Sequence, residues 1–242
     1  MEKDTVKIGS EIVEFYYKRK KIKNIILRVD KENRIVISLP KRAALRDAKE
    51  FIIKKYDWIQ KNRVKNESVK EIRESQKFAD GELLYLFGVP YKIKRFAWNE
   101  NKITIKEDII EIYTKERYFE DTKYISKQYE NWLKQVATEI LTRYTIKYQD
   151  IMQKDGIPVP SVEVRKMKSR WGCCFAGKKL VKYNTSLIKT PKKCIEYVVV
   201  HELSHFKHQN HSKRFYQYVE KYIPDWKERR KVLNKDYTGI VN

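Results

Sequence analysis

Hydrophobic positions along this chain change period several times, and each change predicts a new element. Near the start, residues 12–17, 24–29 and 34–39 are short runs rich in Ile and Val, parted by Lys-rich or Asp-Lys-Glu-Asn stretches. Such runs predict strands, and Pro40 closes the third. Over residues 43–65 the spacing becomes helical. Leu45, Ala48, Phe51, Ile52, Tyr56, Trp58 and Ile59 make an apolar stripe opposite Lys, Arg, Asp and Glu. Residues 66–80 are polar and weakly patterned, which predicts a linker or loop. A second β region follows at 82–87, 91–96, 102–105 and 109–113, with turns at Gly88-Val89-Pro90 and Trp98-Asn99-Glu100-Asn101.

The second half reads mostly as helix. Tyr129, Trp132, Leu133, Val136, Ile140, Leu141 and Tyr144 recur three or four apart and predict one long helix over 122–153. Gly156-Ile157-Pro158-Val159-Pro160 ends it. Residues 162–165 and 179–183 read as strands around Trp171-Gly172. Thr190-Pro191 then offers a capping hydroxyl and a Pro at the first helical position. Two short helices, 212–222 and 225–233, are split by Pro224. No sequence repeat is visible. The pattern gives an α+β protein: a β-rich N-terminal region with one long helix, residues 1–118, and a second domain, residues 119–242.

Composition narrows the class. Of 242 residues, 41% are hydrophobic and 36% charged, and 17 Tyr, 9 Phe and 5 Trp need packing partners. That excludes a disordered chain. The formal charge of +22 draws polyanions and keeps nucleic acid among the candidate partners. No P-loop, paired-Cys finger or RNP-like pair accompanies that charge. Three Cys, two of them adjacent at Cys173 and Cys174, do not make a disulfide framework and fit a reducing compartment. No apolar leader and no 18-residue apolar run are present, so a cytoplasmic protein without membrane spans is expected.

The chemistry concentrates at His201-Glu202-Leu203-Ser204-His205. On a helix this spacing puts two imidazoles one turn apart on one face, able to meet one zinc ion, Zn²⁺. Glu202 lies beside them, placed to take a proton from a zinc-activated water and pass it to a leaving amine. All four His fall between residues 201 and 211. Three residues compete as third ligand. His208 returns to the same helix face but lies about 10.5 Å further along the axis. His211 serves if the helix ends near Gln209-Asn210 and the chain turns back, and Glu220 would serve from the next helix. Asn210 suits a cap or brace at that turn. Arg170-Trp171-Gly172 combines a donor fork, bulk and a residue that permits close backbone approach.

Three stretches resemble the YgjP-like metallopeptidase family, bacterial proteins of the broader zincin group related to the SprT and WLM types. They are Lys168-Ser169-Arg170-Trp171-Gly172-Cys173-Cys174; Tyr183-Asn184 with Leu187 and Pro191; and Tyr197 through His205, continued by Asn210-His211-Ser212 and Phe215. Asp57-Trp58-Ile59 after the first β segment is also similar. The resemblance implies a zincin-like core with the active-site helix beside a small sheet. It further implies one zinc ion on His201, His205 and His211, Glu202 as catalytic residue, and a peptide or protein as substrate. Arg170, Trp171, Asn184 and Asn210 are its candidates for supporting or substrate-binding roles. The family pattern carries Ser where this chain has Cys173, and metzincins carry Gly where it has His208. By analogy with zincins, residues 179–184 are expected to be the edge strand along which substrate extends. Two other readings remain: a metal hydrolase of a non-peptide amide, and a DNA-associated zinc protein, either protease or binding module.

Overall fold

The computed structural model describes residues 1–30, 32–75 and 77–237, with the side chains of 65, 66 and 68–75 outside that description. The chain divides into two compact units, Met1–Ser75 and Gln76–Asn242.

The first unit opens with β1 (Glu2–Ile8), β2 (Glu11–Lys20), β3 (Ile26–Val29) and β4 (Ile35–Pro40), followed by α1 (Leu45–Lys54) and α2 (Tyr56–Ser75). The strands form one sheet in the order β1-β2-β4-β3, with β2 parallel to β4 and both outer pairs antiparallel. Inward positions Val13, Phe15, Ile35, Ile37 and Leu39 pack against Ala48, Ile52 and Ile59. The helix expected over 43–65 is two helices broken at Lys55, whose N–H meets the carbonyls of Phe51 and Ile52. The linker expected over 66–80 is helical as far as Ser75.

The second unit repeats the sheet. β5 (Leu83–Leu86), β6 (Val89–Trp98), β7 (Lys102–Lys106) and β8 (Ile109–Lys115) pair in the order β5-β6-β8-β7, again with a parallel central pair. Strand order and senses match those of the first sheet, a repeat that the residues themselves do not display. α3 (Thr122–Met152) follows, capped by the Asp121 carboxylate, which accepts from Tyr124 N–H at 3.0 Å. Its buried residues Ile125, Tyr129, Leu133, Ala137 and Leu141 recur every four positions, the period of one helix face. They share a single core with Leu84, Leu86, Ile93, Ile110 and Ile112 of the sheet and with Val198 and Val199 further on. The division at Ser75 rather than at 118 follows from that shared core.

A three-stranded sheet comes next, in the order β10-β11-β9: β9 (Ser161–Arg165), β10 (Gly172–Phe175) and β11 (Leu180–Asn184). β11 is parallel to β9 and antiparallel to β10. It is the middle strand. Residues 179–184 therefore do not form the expected free edge, because both sides of β11 are already paired, and β10 is an edge instead. Three helices complete the unit: α4 (Lys192–Ser204), α5 (Lys213–Tyr222) and α6 (Trp226–Asp236).

The entry to α4 is pinned by the β5–β6 turn. Phe87 and Gly88 both have positive φ, and their N–H groups donate to the carbonyls of Ile188 (2.8 Å) and Lys189 (3.1 Å). A Cβ at Gly88 would lie 2.8 Å from Pro191 Cγ, so only glycine admits this approach. The Thr190 hydroxyl does not cap α4. It donates back to the Leu187 carbonyl at 2.8 Å, and Pro191 is the N-cap.

Candidate metal centre

α4 is buried nearly all round, with Ile195, Tyr197, Val198, Val199, Val200 and Leu203 in the core. A helix so enclosed is rigid, and it carries His201 on its last turn and His205 as its C-cap. It ends at Ser204, earlier than the break expected near Asn210. Tight turns take over: the N–H groups of Lys207 and His208 both donate to the Ser204 carbonyl. The chain then returns His211 to the other two histidines. Ring nitrogens of His201, His205 and His211 lie within 4.8 Å of one another, and the Nε2 atoms of His201 and His211 are 2.9 Å apart. Ring centroids are separated by 4.8–5.1 Å. Fully buried Phe215 forms the floor, its ring 4.7–4.9 Å from each imidazole.

The outer nitrogens are also placed. His205 Nδ1 faces the His208 carbonyl at 3.1 Å, and His201 Nδ1 faces the Tyr197 hydroxyl at 3.5 Å. A carbonyl only accepts, so His205 carries its proton on Nδ1 and presents a bare Nε2 to the cluster. His208 thus contributes its backbone; its ring packs on Tyr218. Burial pushes the His201 pKa down to about 3, helped by the charges of His205, His211 and Arg230. Burial also lowers those of His205 and His211. Neutral imidazoles with converging lone pairs can hold a metal ion. Glu220 is exposed on α5 and outside the cluster.

Glu202 is 5% exposed. Burial pushes its pKa up to about 8, while Arg170 pulls the other way. Its side chain rests on the backbone of Gly172: a Cβ there would come within 2.7 Å of Glu202 Cγ and Oε1. The close approach read from Arg170-Trp171-Gly172 therefore has Glu202 as its partner. Asn184, fully buried at the end of β11, holds that segment in place. Its Nδ2 donates to the carbonyls of Met167 (2.8 Å) and Arg170 (3.0 Å). Its backbone N–H donates to the Trp171 carbonyl at 2.8 Å. Arg170 and Trp171 line a cleft of about 800 Å³ with Gly172, Cys173 and Cys174; α4 supplies Tyr197, His201, Glu202 and His205, and His211 and Arg230 line it too. Burial raises both thiols, Cys174 to about 12, so neither is a ready thiolate.

Asn184 acts at one remove from the cleft, and Asn210 does not reach it. Asn210 offers its carbonyl to Ser212 N–H at 2.9 Å, while Ser212 itself caps α5 by accepting from Phe215 N–H. Sequence reasoning missed Arg230, the His208 carbonyl and the Tyr197 hydroxyl. Tyr197 alone had a signal, standing four residues before His201 on the same face.

Residues 23–236 match the family described as YgjP-like, metallopeptidase domain. The chain belongs to that family. Among solved structures it is similar to the metallopeptidase zymogen of Pyrococcus abyssi abylysin, at 22% identity over 41% of this chain and 94% of that one, with a TM-score of 0.34. No curated protein sequence matches. Among the described residues, no helix is long and apolar enough to cross a membrane.

Proposed function

We propose that this chain is a zinc-dependent metallopeptidase with a zincin-like core, in which His201, His205 and His211 hold one Zn²⁺ and Glu202 is the general base. The observation that carries the reading is the convergence of three neutral imidazoles on a point beside a buried carboxylate. When bound, zinc supplies Lewis acidity that acidifies water and polarises a carbonyl. Glu202 accepts the proton of the attacking water on a carboxylate oxygen and returns it to the leaving amine. Gly172 and the loop braced by Asn184 hold that oxygen in place. β10, the edge strand that starts at Gly172, offers unpaired backbone groups beside the cleft, and an extended peptide would pair with them.

Metal content and peptide hydrolysis test this together. Glu202→Gln should keep zinc and lose turnover by about 10²–10⁴-fold. His211→Ala should lose affinity for zinc, and His208→Ala should keep it, since only the His208 carbonyl is used. Full zinc retention in His211→Ala, or a wild type that takes up no zinc on reconstitution, would overturn the assignment.

A further inference from the structure

The charged side chains lining the cleft are Arg170, Glu202 and Arg230. With Glu202 as the base, what remains to meet a substrate is entirely cationic. Neither arginine forms an ion pair among the described residues. The contrast with the neighbouring Arg229 is direct: its guanidinium is locked to Asp225 and Glu196, each at 2.8 Å. Arg229 is structural, whereas Arg230, one position on, points its charge elsewhere.

Arg230 is held without being neutralised. Its Nη1 donates to the Tyr216 hydroxyl at 3.2 Å, and its Cζ lies 5.6 Å from the centre of that ring. Tyr216 is stacked on Trp226 at 4.5 Å and 14°, and on His211 at 6.1 Å and 28°. An aromatic column thus fixes the guanidinium on the wall that carries the third histidine. One N–H is used, and the rest of the five-donor fork stays open to a carboxylate. Arg170, at the start of the β10 approach, supplies a second fork.

Building on the peptidase reading, we propose that the cleft selects peptides with a carboxylate beside the scissile bond, bound by Arg230 with Arg170. That carboxylate belongs either to an acidic side chain or to a free C-terminus. A Lys or Arg at the same place meets two cations that no ion pair neutralises.

The test uses the zinc-reconstituted full chain and a degenerate peptide mixture, prepared with amidated and with free C-termini, cleavage sites being read by mass spectrometry. Cleavage next to Asp or Glu in the amidated set identifies a side-chain carboxylate; cleavage confined to the last residues of the free set identifies the C-terminus. Matched Glu, Gln and Lys peptides then give kcat/KM. Arg230→Gln should lower the ratio of the acidic-peptide value to the Gln-peptide value by roughly tenfold or more. Arg230→Lys should restore part of the loss, and Lys127→Gln, removing an exposed charge that does not line the cleft, should change nothing. Zinc content of each variant shows that the histidine cluster is intact. Cleavage without acidic preference, or a preference that survives Arg230→Gln combined with Arg170→Gln, would overturn this proposal and leave the peptidase reading standing. If the wild type cleaves no peptide, the peptidase reading fails and this one falls with it.

Discussion

Glu202 and Gly172 are far apart in sequence, yet the orientation of the carboxylate depends on the missing Cβ. Gly172→Ala would set a methyl group 2.7 Å from Glu202 Cγ and Oε1, and a buried side chain has nowhere to retreat without leaving its rotamer. The expected outcome is zinc binding near the wild-type level with turnover reduced by about 10²-fold, the cost of misplacing a reacting group by about 1 Å. Metal content and kcat measured on one preparation check it; unchanged kcat would dismiss the contact as irrelevant. At this scale much of the site was legible. His201, Glu202 and His205 follow from helical spacing. His211 follows from the reach of a turn, since His208 sits too far along the axis. The His208 carbonyl was not legible, because a side-chain letter says nothing about where its backbone points. Arg230 was hidden for a different reason: nothing near it in sequence distinguishes it from Arg229, and only the fold separates their partners.

Of the three proposed ligands, His201 sits on α4, His205 at its C-cap and His211 on the irregular stretch between α4 and α5. Zinc should therefore order that stretch most. Amide exchange at residues 205–212 is expected to slow on zinc addition and to recover with a chelator, while α3 stays unchanged. The turn after α3 makes a separate connection. Asp155 accepts from Lys221 Nζ at 2.6 Å and from the Tyr222 hydroxyl, both on α5. Lys221, then Tyr222, hold its pKa down at about 2. Because the folded value lies below the unfolded one of about 3.9, the contribution is complete above roughly pH 4 and is lost as pH falls through about 2. Asp155→Asn should lower the denaturation midpoint at pH 7 and progressively less between pH 4 and 2, as urea titrations would register. Elements with strong periodicity, such as α3 and α4, were readable in the sequence. β1 was not: its Glu-Lys-Asp-Thr-Val-Lys-Ile run buries only Val6, too little for an alternation signal. The end of α2 lacks an apolar stripe, and β10 is four residues long, too short to register against its Gly and Cys content.

Each compact unit encloses its own apolar cluster, one including Phe15, Ile35 and Ile37 and the other running from Phe78 to Leu233. Such units unfold with their own cooperativity. Calorimetry is expected to resolve two transitions, and zinc at a hundredfold above its dissociation constant should stabilise that of residues 76–242 by about 2.7 kcal/mol while leaving the other in place. A single transition moved as a whole by zinc would contradict this. Both units also share one strand order, and that has a consequence for biosynthesis. Each four-stranded sheet consists of two antiparallel pairs, joined through a parallel central pair. Local hairpins close quickly, whereas the parallel join needs a longer loop and comes later. A full-length chain refolding from the unfolded state would hold, for that interval, two docking edges of the same sense, β2 and β6, and two ribbons of the same form, β3–β4 and β7–β8. The chain is its own competitor. During synthesis the native join prevails because the loop from β2 to β4 is shorter than any route across Ser75, so the first ribbon docks before the ribosome has released the second.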